Sequence, residues 1–102
     1  MKIPKTINIL GVTFKVKFVD DISKEKIVAK EDKKLSMVGY CSCNNATILL
    51  CKDTDKQNYL SVFIHEILEA IDQQLALNLK HDNIDRLEVA LYQVLITNKL
   101  LK

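Results

Sequence analysis

The sequence predicts an α+β domain: a short antiparallel sheet of about four strands, built as two hairpins, packed against two antiparallel C-terminal helices. Three observations carry this. The first half alternates apolar and polar residues at a period of two. The second half carries apolar residues at helical spacing. Strands therefore precede helices instead of interleaving with them. The 102 residues suffice for one domain, 1–102, with one modest core.

Residues 6–19 read TINILGVTFKVKFV. Ile7 and Ile9, then Val12, Phe14, Val16 and Phe18, alternate on either side of Leu10-Gly11. That predicts a hairpin with Gly11 at the turn. Residues 20–34 are polar and lysine-rich, a loop with one short turn of helix within 22–28. Residues 35–52, LSMVGYCSCNNATILLCK, predict two short strands flanking Asn44-Asn45, a pair that tolerates left-handed turn geometry. Thr54 with Gln57 three residues later resembles a capping box. The helix it opens, 59–77, buries Leu60, Phe63, Ile64, Ile67, Leu68, Ile71 and Leu75, and Asn78 is its stop. A second helix begins near His81-Asp82, with an apolar stripe of Ile84, Leu87, Leu91, Val94 and Leu95. The short linker makes the two helices antiparallel neighbours.

Composition excludes several classes of function. The chain is 48% hydrophobic and 27% charged, as soluble globular domains are. A net charge of +2, with lysines in loops, on strand faces and at chain ends, gives no nucleic-acid-binding stripe. No apolar run is long enough to span a bilayer, and MKIPKTINIL lacks the apolar core of a signal peptide. The expectation is a cytoplasmic protein without a membrane partner. Three cysteines, an odd number, fit a reducing compartment that keeps them as thiols.

The chemistry concentrates in His65-Glu66-Ile67-Leu68-Glu69. Residues four apart stack on one helix face, so His65 and Glu69 can close on one small ion. Glu66, one step round the helix, can reach a water held by that ion. The pattern is H-E-x-x-H, the zinc-hydrolase helix motif, with Glu69 in place of the second histidine. On helical wheels, His65, Glu69 and Asp72 form one narrow polar arc, and His81, Asp85, Glu88 and Tyr92 form another. Each arc flanks its helix's apolar stripe, where it can meet the other across the seam. Zinc takes about four ligands, and imidazole and carboxylate both suit it.

The segment IHEILEAIDQQLALNLKHDNIDRLEVALYQVL resembles small phage and prophage proteins of the zincin type, minimal relatives of the Glu-ligand zinc metallopeptidases. With the early hairpin and the Gly39-Tyr40 strand, the resemblance covers most of the chain. It rests on His65-Glu66-Ile67-Leu68-Glu69 followed by Leu79-Lys80-His81-Asp82-Asn83-Ile84-Asp85-Arg86-Leu87. It implies a zincin-like domain, metal binding by His65 and Glu69, and Glu66 as general base. His81 and Glu88 compete for the remaining ligand role. The implied activity is a metal-dependent hydrolase acting on a peptide or protein. Zinc is the expected metal, with manganese or iron favoured by oxygen-rich ligation. The alternative is a catalytically silent relative that serves as a protein-interaction module.

Each feature also has a plain structural reading. His65 and Glu69 can be a hydrogen-bonded surface pair. His81 can sit near a helix N-cap, and Glu88 can pair with Arg86 or a lysine. Asp72 and Asp85 fit supporting or solvated roles better than ligation. Cys41 and Cys43 face one side of a strand, and with Cys51 and a histidine they could bind zinc. Small buried thiols are the simpler reading. Leu95, Ile96, Leu100 and Leu101 extend the last helix's apolar character, as a homodimer or partner surface or as a frayed end packed on the sheet.

Overall fold

The computed structural model describes residues 2–28, 38–55 and 58–101. It is an α+β fold of four strands followed by two helices. β1 (Thr6–Ile9) and β2 (Val12–Val19) form the first hairpin. Leu10 and Gly11 both have positive φ, the type of two-residue turn that matches strand twist. Gly11 is where the sequence placed it. A 3-10 turn at Ile22–Lys24 follows, capped by the Asp21 side chain. β3 (Gly39–Ser42) and β4 (Thr47–Cys51) form the second hairpin.

The sheet is mixed, not antiparallel as the sequence suggested. Its order is β1-β2-β4-β3, and the two hairpins join through a parallel β2–β4 pair. The reason lies in β4. Ile48 and Leu50 enter the core beneath the first helix, while Leu49 enters a second core with Ile22 and Val28 on the opposite face. A strand covered on both faces belongs inside a sheet, and short parallel pairings are typical there. β3 is left at the edge.

Several local expectations also shift. The turn at 43–46 places Ala46, not Asn44 or Asn45, in the left-handed region. Asn45 instead turns its amide to the Ser42 hydroxyl at 2.8 Å. The capping box at Thr54 is not formed. The helix starts four residues later, with Asn58 as its N-cap, and Gln57 lies outside the described residues.

α1 (Tyr59–Leu75) packs on the sheet. Phe63 and Ala70 are buried against Phe14, Val16, Cys41, Ile48 and Leu50, with Val62, Ile67 and Ile71 at the margin. Leu75 is exposed, contrary to expectation, because the helix ends there. The stop comes at Ala76, whose φ of 51° lets Leu77 N–H donate to the Asp72 carbonyl at 3.1 Å. Asn78 is left-handed too, but beyond the stop.

α2 (His81–Thr97) lies antiparallel to α1 and begins where the sequence put it. Of its predicted stripe only Ile84 is buried, and Leu87, Leu91 and Val94 are exposed. The register explains this. Ser61 meets Glu88, so two residues of α1 precede that contact while nine of α2 follow it. The second half of α2 runs past the start of its neighbour. Ile96 and Leu100 are exposed there as well. Among the described residues, no helix is long and apolar enough to cross a membrane.

Candidate metal centre

The two polar arcs meet across the helix seam. From α1 come His65 and Glu69, one turn apart, and from α2 come His81, Asp85 and Glu88. His65 is at the centre. Its Nδ1 lies 2.8 Å from Glu88 Oε1 and 3.4 Å from Asp85 Oδ1, and its Nε2 lies 3.5 Å from Glu69 Oε1. His81 Nδ1 is 3.8 Å from Glu69 Oε1, and its Nε2 is 3.4 Å from Asp85 Oδ2. The imidazoles meet edge-on, with ring centroids 5.3 Å apart.

The connector aligns the arcs. Asp72, one turn beyond Glu69, accepts a hydrogen bond from Leu79 N–H at 2.9 Å. That bond sets the chain's entry into α2 and gives Asp72 a supporting role. His81 is the first residue of α2, and Lys80 is the N-cap. His81 therefore does not cap the helix and faces the seam instead.

Glu66 stands apart from the polar arcs. It lies on the sheet-facing side of α1, between Phe63 and Ala70, and is only 4% exposed. Among the described residues, no hydrogen bond or ion pair holds its carboxylate. It rests against Gly39 on β3, where an added Cβ would come within 2.7 Å of Glu66 Oε2 and of Val62 Cγ1. A side chain at position 39 would force Glu66 and Val62 to shift from these places. Glu66 lines a cavity of about 290 Å³ together with Gly39, Cys41, His65, Glu69 and His81. This hollow lies between the edge strand and the helix seam.

The site is electrostatically poised. Its Glu69 hydrogen bond, with the negative fields of Glu66 and Glu88, raises the His65 pKa to about 9 against the opposing effect of burial. Burial raises Glu66 to about 8, reinforced by Glu69 and Glu88 and opposed by His65. A cation bound here has to displace the proton that His65 prefers to keep, and the carboxylates that raise its pKa are the groups that would hold the ion in exchange.

Among the described residues, His65, His81 and Asp85 form a group that could hold a metal ion, with one donor atom from each lying within 4.8 Å of the others. Of the sequence-derived candidates, His65, His81, Glu69 and Glu88 are all drawn together, and Glu66 borders the same cavity. Asp85, read as a supporting or solvated residue, belongs to the metal-holding group itself. Its place four residues after His81 was the available signal. Ser61 was missed. Its hydroxyl donates to Glu88 Oε2 at 2.6 Å, and its position four residues before His65 would have shown it.

The cysteines do not assemble. Cys41 lies in the core beneath α1, whereas Cys51 packs on the opposite sheet face and points its thiol at the Asp20 carbonyl. A zinc site joining Cys41, Cys43 and Cys51 is therefore ruled out by the pleat. Burial pushes the Cys41 and Cys43 thiols up, away from the reactive thiolate form.

No family model, curated protein or solved structure matches the chain.

Proposed function

We propose that the protein is a zincin-like metal-dependent hydrolase. In this reading His65 and His81, with Asp85 and the adjoining Glu69, hold one divalent cation at the helix seam beside the cavity. One observation carries the reading: two imidazoles from two helices converge with carboxylates beside a cavity whose wall contains a buried, unpaired Glu66. When bound, the metal would supply Lewis acidity, activating water and polarising a carbonyl. Glu66 then serves as the proton acceptor and donor. Burial gives it a pKa of about 8, in the range where a carboxyl exchanges protons near neutrality. Two imidazoles with carboxylates suit zinc, and the oxygen share of the site also admits manganese or iron.

The resemblance of the motif region to small phage zincins supports a peptide bond as the target and a cytoplasmic setting. The test is elemental analysis of the purified chain beside His65→Ala, with peptide hydrolysis assayed on the loaded protein. The parent is expected to carry about one equivalent of metal per chain, and the variant none. Equal, negligible metal in both would remove the basis of the proposal.

The exposed Leu87, Leu91 and Val94 on α2 favour a second reading, a catalytically silent module that binds a partner or a second copy of the chain through this stripe. A chain that carries no metal but associates, and loses association with Leu91→Glu, would decide for it.

A further inference from the structure

The Glu88 carboxylate sits among the candidate ligands, yet its geometry is that of a brace. Its Oε1 lies 2.8 Å from His65 Nδ1, the shortest contact either histidine makes with a carboxylate among the described residues. Its Oε2 accepts the Ser61 hydroxyl at 2.6 Å. Both oxygens are thus committed, one to each of two α1 side chains four residues apart. Metal-binding imidazoles usually donate their second ring N–H to a carboxylate, which fixes the tautomer and the ring's orientation. With Nδ1–H donated to Glu88, the His65 lone pair falls on Nε2. That atom faces Glu69, which borders the cavity. Asp85 also approaches Nδ1, at 3.4 Å, but its other oxygen lies 3.4 Å from His81 Nε2 and is open to an ion held at the His81 end, whereas both Glu88 oxygens are taken up by α1 side chains. The unpaired carboxylate of Glu66, in the same cavity wall, independently marks that side as the one built for a ligand.

We propose that Glu88, steadied by Ser61, is a positioning residue that presents His65 Nε2 to a divalent cation and is not itself a ligand. The inference rests on the metal-centre reading above and goes beyond it by removing Glu88 from the ligand set and bringing in Ser61. Ser61 makes the claim testable, since its effect on metal binding has to pass through Glu88.

The experiment is cobalt(II) titration of the full chain, followed by its visible absorption, for the parent, Ser61→Ala, Glu88→Gln, Glu88→Ala and His65→Ala. Thermal unfolding in chelator checks each fold. Glu88→Ala is expected to bind cobalt about 10- to 100-fold more weakly, the usual effect of losing such a partner. Glu88→Gln, which keeps an acceptor for Nδ1–H, should recover part of that loss. Ser61→Ala should weaken binding by a smaller factor. At saturation all three should show the parent's absorption band unchanged, because the ligand set is the same. His65→Ala should lose the band. If saturated Glu88→Ala shows an altered band, Glu88 is a ligand and the proposal falls. It falls equally if Ser61→Ala and Glu88→Ala bind as tightly as the parent. A parent that binds no cobalt, zinc or manganese would overturn the metal-centre reading itself, a result distinct from both.

Discussion

The two helices are equal in length and both carry an apolar stripe, but they are held to the molecule in different ways. α1 buries Phe63, Ile64, Glu66 and Ala70, and its sheet-facing side joins the main core. α2 buries Ile84 alone. Among the described residues, its hydrogen bonds and ion pairs across the seam join Glu88 to Ser61 and His65, Asp85 to His65, and His81 to Glu69, and the His65 and His81 rings meet edge-on. α1 is thus fixed by the hydrophobic effect. α2 is fixed largely by the side chains of the candidate centre. A site that doubles as the fastening of a helix couples ligand binding to that helix's order.

The sharpest way to break this comparison is to truncate one apolar residue on each helix. Phe63→Ala removes a ring buried to 3% exposure, and should cost about 3–5 kcal/mol. Leu91→Ala, at 40% exposure, should change stability by less than about 1 kcal/mol. Urea unfolding of the metal-free chain measures both. Comparable losses would mean that α2 is packed as firmly as α1.

Metal should narrow the difference. A cation that binds only the folded site at about 100 times its dissociation constant stabilises by about 2.7 kcal/mol. Because His81 and Asp85 belong to the metal-holding group, this gain should appear as slowed amide exchange along α2. Sheet amides should report only the global gain. Protection confined to α1 and the sheet would count against a centre that bridges the seam.

The pH dependence of the metal-free chain tests the site from the other side, and both signs agree. His65 has a folded pKa of about 9, above its free value of 6.5. Its contribution is complete below 6.5 and lost as pH rises through 9. Glu66 is raised from 4.5 to about 8, so the folded chain keeps a proton that the unfolded chain releases. That costs stability progressively as pH rises from 4.5 to 8. The thermal midpoint should therefore fall from about pH 5 to about pH 9. Glu66→Gln should remove the acidic end of that slope and raise the midpoint at pH 8. A midpoint that rises with pH over this range would contradict the burial of Glu66.

The contrast between the helices also shows what the sequence could reveal. The period of the apolar residues was enough to place the Gly11 hairpin, the start of α2 and the pairing of the two polar arcs, because each depends on local spacing. What depended on contacts between distant segments was not legible. Nothing in either hairpin's alternation says which strands join, although the unbroken apolar run Ile48-Leu49-Leu50 hinted at a strand covered on both faces. The exposure of α2's stripe follows from a register set by Ser61 and Glu88, which helical spacing alone does not determine. Asp85 was underrated because its partners, His65 and His81, meet only after the chain turns back. Glu66 was recognised as chemistry, but its burial depends on Gly39, 27 positions away on the edge strand.

The smallest effect concerns the joint between the helices. Ala76 ends α1 at a φ of 51°, a conformation that costs a residue with a Cβ about 1–2 kcal/mol. Ala76→Gly relieves that cost but loosens the unfolded chain by about 0.4–1 kcal/mol. The net gain should fall between about 0 and 1.6 kcal/mol, the difference of those two terms, readable as a higher urea midpoint with unchanged slope. Its distribution is the informative part. The Ala76 turn precedes the Asp72–Leu79 bond, which leads directly into α2. If α2 is fastened through its joint and its polar seam, exchange should slow along α2 by as much as along α1. If the gain stays within the last turn of α1, the joint does not govern α2, and the side chains around His65 are left as its main attachment.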